Sequence, residues 1–163
     1  MAYPVKAVAN YLLALAKDKG EKLSPMKLQK LVYFAHGWHL AFTGQSLIDE
    51  KVEAWQYGPV IPSLYHEFSN YGAGNISKLA TELDDDFEFI TPKLPNDDAA
   101  DKFAKALLEK VFEVYGKHSG IQLSNLTHLP DTPWSQTWKA GLPKGTDISD
   151  DLITNHFKQK LGK

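Results

Sequence analysis

Cysteine and arginine are both absent from this sequence of 163 residues. Without cysteine the chain has no disulfide, no thiolate zinc site and no thiol nucleophile. Without arginine it lacks the bidentate guanidinium group that commonly recognises phosphate and guanine. All 18 basic residues are lysines, and 20 acidic residues bring the net charge to −2. Because nucleic-acid-binding proteins usually carry a basic surface, nucleic acid is the least expected class of partner.

Long apolar runs are also missing from the chain. The longest extends from Tyr11 to Ala16, whereas a helix needs about 20 apolar residues to cross a bilayer. Asn10 interrupts the apolar stretch near the N-terminus, which argues against a secretory signal peptide. We therefore expect a cytoplasmic protein that has no membrane partner.

Apolar residues recur mostly at helical spacing, which predicts a mainly α fold in a single compact domain over residues 1–163. Ser24 and Pro25 are typical of a helix N-cap and a first helical residue. The residues that follow are apolar on nearly every face, so we expect a buried central helix from about 26 to 42. Alternating side chains predict one short strand over Val52–Tyr57, ended by Gly58 and Pro59. Further helices are predicted after Pro4, at Pro62 or Ser63, over Asp98–Tyr115, after Ser119, from Pro133 to Gly141, and after Asp147 or Ser149.

Acidic residues are concentrated in residues 82–101, which hold eight of them against a single lysine. We expect this segment to be an exposed connection, in which Phe87, Phe89 and Ile90 can form a brief edge strand. Such a segment is either a solvated loop or a surface that attracts a basic partner, and the solvated loop is the commoner case.

Two histidines three residues apart on the central helix are the best candidates for metal chemistry. His36 and His39 have a spacing that can place two imidazoles on one ion, so a small metal-dependent hydrolase is one hypothesis. It needs a distant third ligand, and His39 falls on the face predicted to be buried. A hydrogen-bonded core histidine is the commoner explanation. Calcium loops and phosphate-binding loops fail on inspection as well, so we expect no metal, no cofactor and no enzymatic activity.

Aromatic residues beside proline or glycine stand out in two segments, 53–60 and 126–134. Tryptophan and tyrosine in such settings are good anchors for a protein partner. The candidate partner-binding residues are Trp55, Tyr57, His128 and Trp134. The alternative is that these side chains cover the hydrophobic core at the ends of helices.

The same segments carry a resemblance to a known family. Residues 27–37, with the sequence KLQKLVYFAHG, resemble the signature helix of the Panacea antitoxin domain, also called the SocA-like or phage-associated GepA-like domain. Leu47 with residues 53–55 and 57–60 resembles its second motif, and residues 126–128 followed by Pro133 and Trp134 resemble its third. The three motifs occur in the family's order and span most of the chain.

The resemblance implies a mostly helical domain of bacteria and their phages, without enzymatic activity. Many members are antitoxins that neutralise a neighbouring toxin by direct binding, and at least one branch is a proteolytic adaptor that delivers the toxin to an ATP-dependent protease. Some members carry an additional DNA-binding domain, which we do not expect here because the first predicted helix starts near Pro4. The resemblance therefore predicts a cognate protein toxin as partner.

Overall fold

The computed structural model describes residues 2–138 and 145–162. This part of the chain contains seven α-helices and five short strands. The mainly α fold predicted from the sequence is confirmed. The predicted end of the sixth helix near Gly141 lies outside the described residues. The helices are α1 (Val5–Asp18), α2 (Pro25–Thr43), α3 (Pro62–Phe68), α4 (Ala99–Tyr115), α5 (Gly120–Thr127), α6 (Pro133–Trp138) and α7 (Asp150–Leu161). The strands are β1 (Val52–Trp55), β2 (Gly58–Val60), β3 (Glu82–Leu83), β4 (Phe89–Ile90) and β5 (Thr146–Ile148), and a 3₁₀ turn covers Ser69–Tyr71.

Helix α2 is the centre of the fold, as its sequence predicts. It begins where the Ser24 hydroxyl accepts a hydrogen bond from the amide of Lys27, with Pro25 as its first residue. It ends at Gly44, which adopts the left-handed conformation common at helix ends. Thirteen of its 19 residues are buried, because α1, α3, α4, α5 and α7 all pack around it.

Helix α7 covers one side of α2, and Phe157 is the largest side chain that it buries there. Phe157 is fully buried, and its ring lies 5.1 Å from the ring of Trp38 and 6.0 Å from that of Tyr33. Both contacts have the edge-to-face geometry that aromatic pairs favour. Among the described residues, no helix has the length and hydropathy required to span a lipid bilayer.

A small antiparallel sheet with strand order β2–β1–β5 lies against the helices. Trp55 pairs with Gly58, so Gln56 and Tyr57 form a two-residue turn between β1 and β2. The predicted strand is therefore wrong at its C-terminal end, because it stops at Trp55, and Gly58 and Pro59 begin a second strand. Proline is tolerated there because β2 is an edge strand. Strand β5 was not predicted, since its partner β1 is far away in the sequence.

The acidic segment is exposed or partly exposed over residues 82–100, as predicted, and contains the β3–β4 hairpin. Its last member, Asp101, contradicts the prediction of an exposed connection over 82–101, because it is buried in the first turn of α4. Its carboxylate accepts hydrogen bonds from the Tyr3 hydroxyl at 2.7 Å and the Asp97 amide at 2.9 Å. These bonds, that from Tyr3 foremost, hold the pKa of Asp101 below its usual range. This carboxylate therefore completes the capping box at the start of α4 and is not part of the exposed acidic surface.

Candidate partner-binding site

The turn between β1 and β2 brings the four predicted partner-binding residues together. Trp55 ends β1, Tyr57 lies in the turn, His128 follows α5 and Trp134 lies in the first turn of α6. The indole Nε1 of Trp134 donates a hydrogen bond to the backbone carbonyl of Trp55 at 2.6 Å. The centres of the His128 and Trp134 rings are 3.9 Å apart. Residues separated by about 75 positions in the sequence thus form one cluster.

Three successive backbone carbonyls of this turn, at residues 55–57, are bonded to side chains of the α5–α6 region. The indole of Trp134 donates to the carbonyl of residue 55, and His128 Nε2 lies 3.1 Å from that of residue 56. The Ser124 hydroxyl donates to the carbonyl of residue 57 at 2.6 Å. The other ring nitrogen of His128 lies 2.6 Å from the carbonyl of Ser124.

The opposite side of the hairpin is held by the signature segment of α2. The Gln29 side chain accepts from the amide of Ile61 at 2.9 Å and donates to its carbonyl at 3.0 Å. The ammonium of Lys30 donates to the carbonyl of Pro59 at 3.1 Å. The polar residues of all three sequence motifs therefore converge on one hairpin, whose backbone is bonded from both sides.

Exposure divides the four predicted residues into two pairs. Trp134 is only 7% exposed, and His128 is partly buried against it. The ring of Tyr57, by contrast, is 63% exposed. Trp55 is half-buried, and its Nε1 donates to the Glu53 carboxylate at 2.9 Å. Trp134 and His128 therefore position the turn, whereas the side chains of Trp55 and Tyr57 are accessible to solvent.

Beneath the turn is a cavity of about 320 Å³ between the hairpin, the first turns of α2 and the end of α3. Its walls are largely apolar, and the rings of Trp55 and Tyr65 meet there at an angle of 56° with centres 4.8 Å apart. A concave site of this size with aromatic walls is typical of a binding pocket for one or two side chains. The residues that line it include Met26, Gln29, Lys30, Trp55, Tyr57, Val60 and Tyr65.

Among the described residues that line this cavity, Lys30 is the one that carries a charge. It is only 2% exposed, and burial lowers the pKa of its amine to about 7. Sequence reasoning missed it. The signal was present, however, because a lysine inside a helix that is predicted to be buried on all sides must itself be buried.

Gly58 is expected to be sensitive to any side chain. Its φ is +117°, and an added Cβ would lie 2.8 Å from the Thr127 hydroxyl and 3.1 Å from the Lys30 ammonium. The change Gly58→Ala should therefore lower the free energy of unfolding by about 1–3 kcal/mol, from backbone strain and close contact together. Urea denaturation measures this.

Gly44→Ala is the matched control, since Gly44 also has a positive φ but nothing within 4 Å of an added Cβ. We expect it to cost only the backbone penalty, about 1 kcal/mol. Equal losses in the two variants would contradict the close packing of Gly58 against Lys30 and Thr127.

The two candidate metal-binding histidines are both buried, but they bond to separate partners. His36 Nε2 lies 3.2 Å from a carboxylate oxygen of Asp150, and this bond lowers the pKa of Asp150. His39 Nδ1 lies 2.7 Å from the carbonyl of Gln45, and burial lowers the pKa of its ring. Within residues 2–138 and 145–162, no group of three or more His, Asp or Glu side chains could hold a metal ion. The geometry thus gives the hydrolase hypothesis no support.

Comparison with known proteins agrees with the three motifs. The family model described as "Antitoxin SocA-like, Panacea domain" matches residues 28–135, the span over which the motifs occur. The chain is similar to Antitoxin SocA of Caulobacter vibrioides (strain NA1000 / CB15N), with 32% identity over 158 residues, covering 94% of this chain and 81% of that protein. No solved structure matches the chain. The anchored hairpin is thus the meeting point of the family's motifs, and the chain belongs to the SocA-like Panacea domain family.

Proposed function

We propose that this protein is an antitoxin that neutralises a cognate protein toxin by binding it directly, without a cofactor and without catalysis. Membership of the SocA-like family supports the antitoxin role. The observation that carries the proposal for the surface is the exposed ring of Tyr57, which stands on a turn bonded from both sides and next to an apolar cavity.

A turn of this kind suits protein recognition for an energetic reason. Association costs the entropy of every segment that becomes ordered in the complex. Here the backbone carbonyls of residues 55–57 and the amide and carbonyl of Ile61 are already bonded within the free protein. An aromatic side chain on such a preordered turn contributes contact area at low entropic cost.

Tyr57→Ala tests the proposed surface. Because the ring is 63% exposed and the hydroxyl has no protein partner among the described residues, stability should change by no more than about 0.5 kcal/mol. Loss of a central aromatic contact should weaken toxin binding by about 2 kcal/mol, roughly 30-fold. The measurement is rescue of growth, and affinity, when the protein is co-expressed with the product of the adjacent reading frame.

Phe87→Ala is the control, because Phe87 is also an aromatic residue at a turn and is 84% exposed. It should leave rescue and affinity unchanged. An adjacent product that is harmless, or that is toxic and is not rescued, would contradict the antitoxin proposal. Rescue that survives Tyr57→Ala but fails with Phe87→Ala would move the contact surface to the acidic hairpin.

The half-life of the toxin, measured during the same co-expression, separates sequestration from the adaptor role. A toxin that is sequestered keeps its half-life when this protein is present. A toxin that is handed to an ATP-dependent protease disappears faster in its presence, and the acceleration requires the protease. We propose that the toxin is sequestered. A shortened half-life of the toxin would instead show that it is delivered to the protease.

A further inference from the structure

The ammonium of Lys30, which lines the cavity, has no part in the function proposed above. An ammonium has three donors, and the carbonyl of Pro59 accepts from one of them. None of the residues that line the cavity is Asp or Glu, and Lys30 makes no ion pair with any residue that the structure describes. A lysine that is 2% exposed therefore has donors left over and no countercharge.

Such an arrangement is costly to the free protein. A charged amine that is removed from water loses several kcal/mol unless it is paired, and here a single neutral carbonyl is its partner. The same low-dielectric surroundings strengthen any interaction with an arriving anion. A carboxylate that enters the cavity would supply both the countercharge and the missing acceptors.

The walls add a second requirement. The indole of Trp55, the ring of Tyr65 and the thioether of Met26 line the same cavity as Lys30 and make its walls largely apolar. A thioether is flexible and adapts to different side chains. The best occupant therefore has a carboxylate at its inner end and an apolar group beside it.

We propose that the cavity binds an acidic side chain of the toxin, Asp or Glu with an apolar neighbour, and that Lys30 pairs with its carboxylate. The naming of the toxin as the source of this side chain rests on the function proposed above. A side chain suits the site better than a chain end, because a folded partner that covers the exposed Tyr57 ring at the rim continues beyond the cavity. The volume of about 320 Å³ accommodates one or two side chains.

The pairing makes binding dependent on pH. Burial lowers the pKa of Lys30 to about 7, and a bound carboxylate raises it again, so binding takes up a proton above that pH. Affinity should then fall about tenfold between pH 6 and pH 8. Other titratable groups near the cavity are the phenols of Tyr57 and Tyr65 in its lining, Glu53 on the indole of Trp55, and His128 behind the carbonyl of Gln56.

Three short peptides test the site without the toxin. Acetyl-Phe-Glu-amide carries a side-chain carboxylate, acetyl-Phe-Gln-amide carries none, and acetyl-Gln-Phe with a free end carries a terminal one. Titration is followed by the indole N–H resonance of Trp55. At pH 6 we expect the first peptide to bind at least tenfold more tightly than the second, and more tightly than the third. Equal affinities for the first two would overturn the proposal, and preference for the third would replace the side chain with a chain end.

Lys30→Met keeps the length of the side chain and removes the charge. It removes a buried charge without a countercharge, which stabilises the protein, and it also removes the donor to the carbonyl of Pro59, which destabilises it. We expect these two effects largely to offset, so the variant stays folded, while the tenfold preference for the carboxylate peptide and its pH dependence disappear. Lys27→Met is the matched control, since Lys27 lies on the same helix but donates to the carbonyl of Gly116, away from the cavity. A pH dependence that persists in Lys30→Met would assign it to His128 or another group and overturn the proposal. Were Lys30→Met to unfold, the wild-type peptide titrations would still decide.

The last test measures the affinity of the toxin itself at pH 6 and pH 8. Its affinity for the wild-type protein should fall about tenfold from pH 6 to pH 8, and Lys30→Met should abolish that fall. Peptide binding as expected without any rescue from a toxin would refute the antitoxin function and leave the carboxylate site standing. Rescue with toxin affinity that is independent of pH would refute the carboxylate pairing and leave the antitoxin function standing.

Discussion

Replacing Trp134 with alanine is expected to lower the free energy of unfolding by about 3–5 kcal/mol. The side chain is only 7% exposed, and its ring lies between those of His128 and Trp138, with centres 3.9 Å and 5.5 Å away. Alanine would leave a large cavity there. It would also remove the donor that satisfies the carbonyl of Trp55, so the turn would lose one of its bonds. Urea denaturation and a melting curve measure the loss, at roughly 10 °C in melting temperature.

Trp134→Phe is the matched control, because it keeps an aromatic ring but lacks the indole N–H. It should lower the free energy of unfolding by about 1–3 kcal/mol, because the carbonyl of Trp55 loses its donor and the smaller ring fills less space. The two roles considered for Trp134 predict different results. If stability is unchanged in Trp134→Ala while toxin binding falls, the ring is a direct contact with the partner and its role in holding the turn is wrong.

Removing the ring of Phe157 should destabilise the protein to a similar degree, again about 3–5 kcal/mol. Phe157 is fully buried, and its ring packs against the rings of Phe34 and Trp38 on the central helix. Its ring fills the space above Gly37, where α2 has no side chain. Chemical denaturation of Phe157→Ala measures the loss, and an intact m-value would show that unfolding remains two-state.

A second substitution checks that this space is the reason. A Cβ at Gly37 would overlap the Phe157 ring, so Gly37→Ala alone should cost about 1–3 kcal/mol despite the better helix propensity of alanine. In the double variant the overlap is gone, and the combined loss should be smaller than the sum of the two by at least about 1 kcal/mol. Strict additivity would contradict the proposed contact.

The helices were predictable because their signals are local. Ser24 and Pro25 mark the start of α2 and Gly44 its end, and α4 begins next to Asp98, as its sequence predicts. The prediction of a single strand near residue 52 was only partly right, since Gly58 and Pro59 belong to a second strand. Strand β5 carries no signal of its own, because its hydrogen bonds go to β1, about 95 positions earlier in the chain.

The candidate site was predictable in its location but not in the roles of its members. The aromatic residues near Trp55 and Trp134 were identifiable from their proline and glycine neighbours. Whether each ring faces solvent depends on how α5 and α6 lie against the hairpin, which no local pattern contains. The burial of Lys30 could have been inferred from its position in the buried helix, but its contact with β2 and the cavity beside it could not, because they depend on packing between distant segments.

The sequence by itself determined that the chain is mainly helical, that α2 is its buried centre, and that thiol and guanidinium chemistry are excluded. These conclusions depend on composition and on contacts between residues a few positions apart. Only the tertiary structure decided that Trp134 supports the turn while Tyr57 is exposed, that Asp101 is a buried capping residue, and that Lys30 faces a cavity without a countercharge. Burial is set by elements distant in the chain, so exposure, countercharge and cavity shape arise only when those elements pack together.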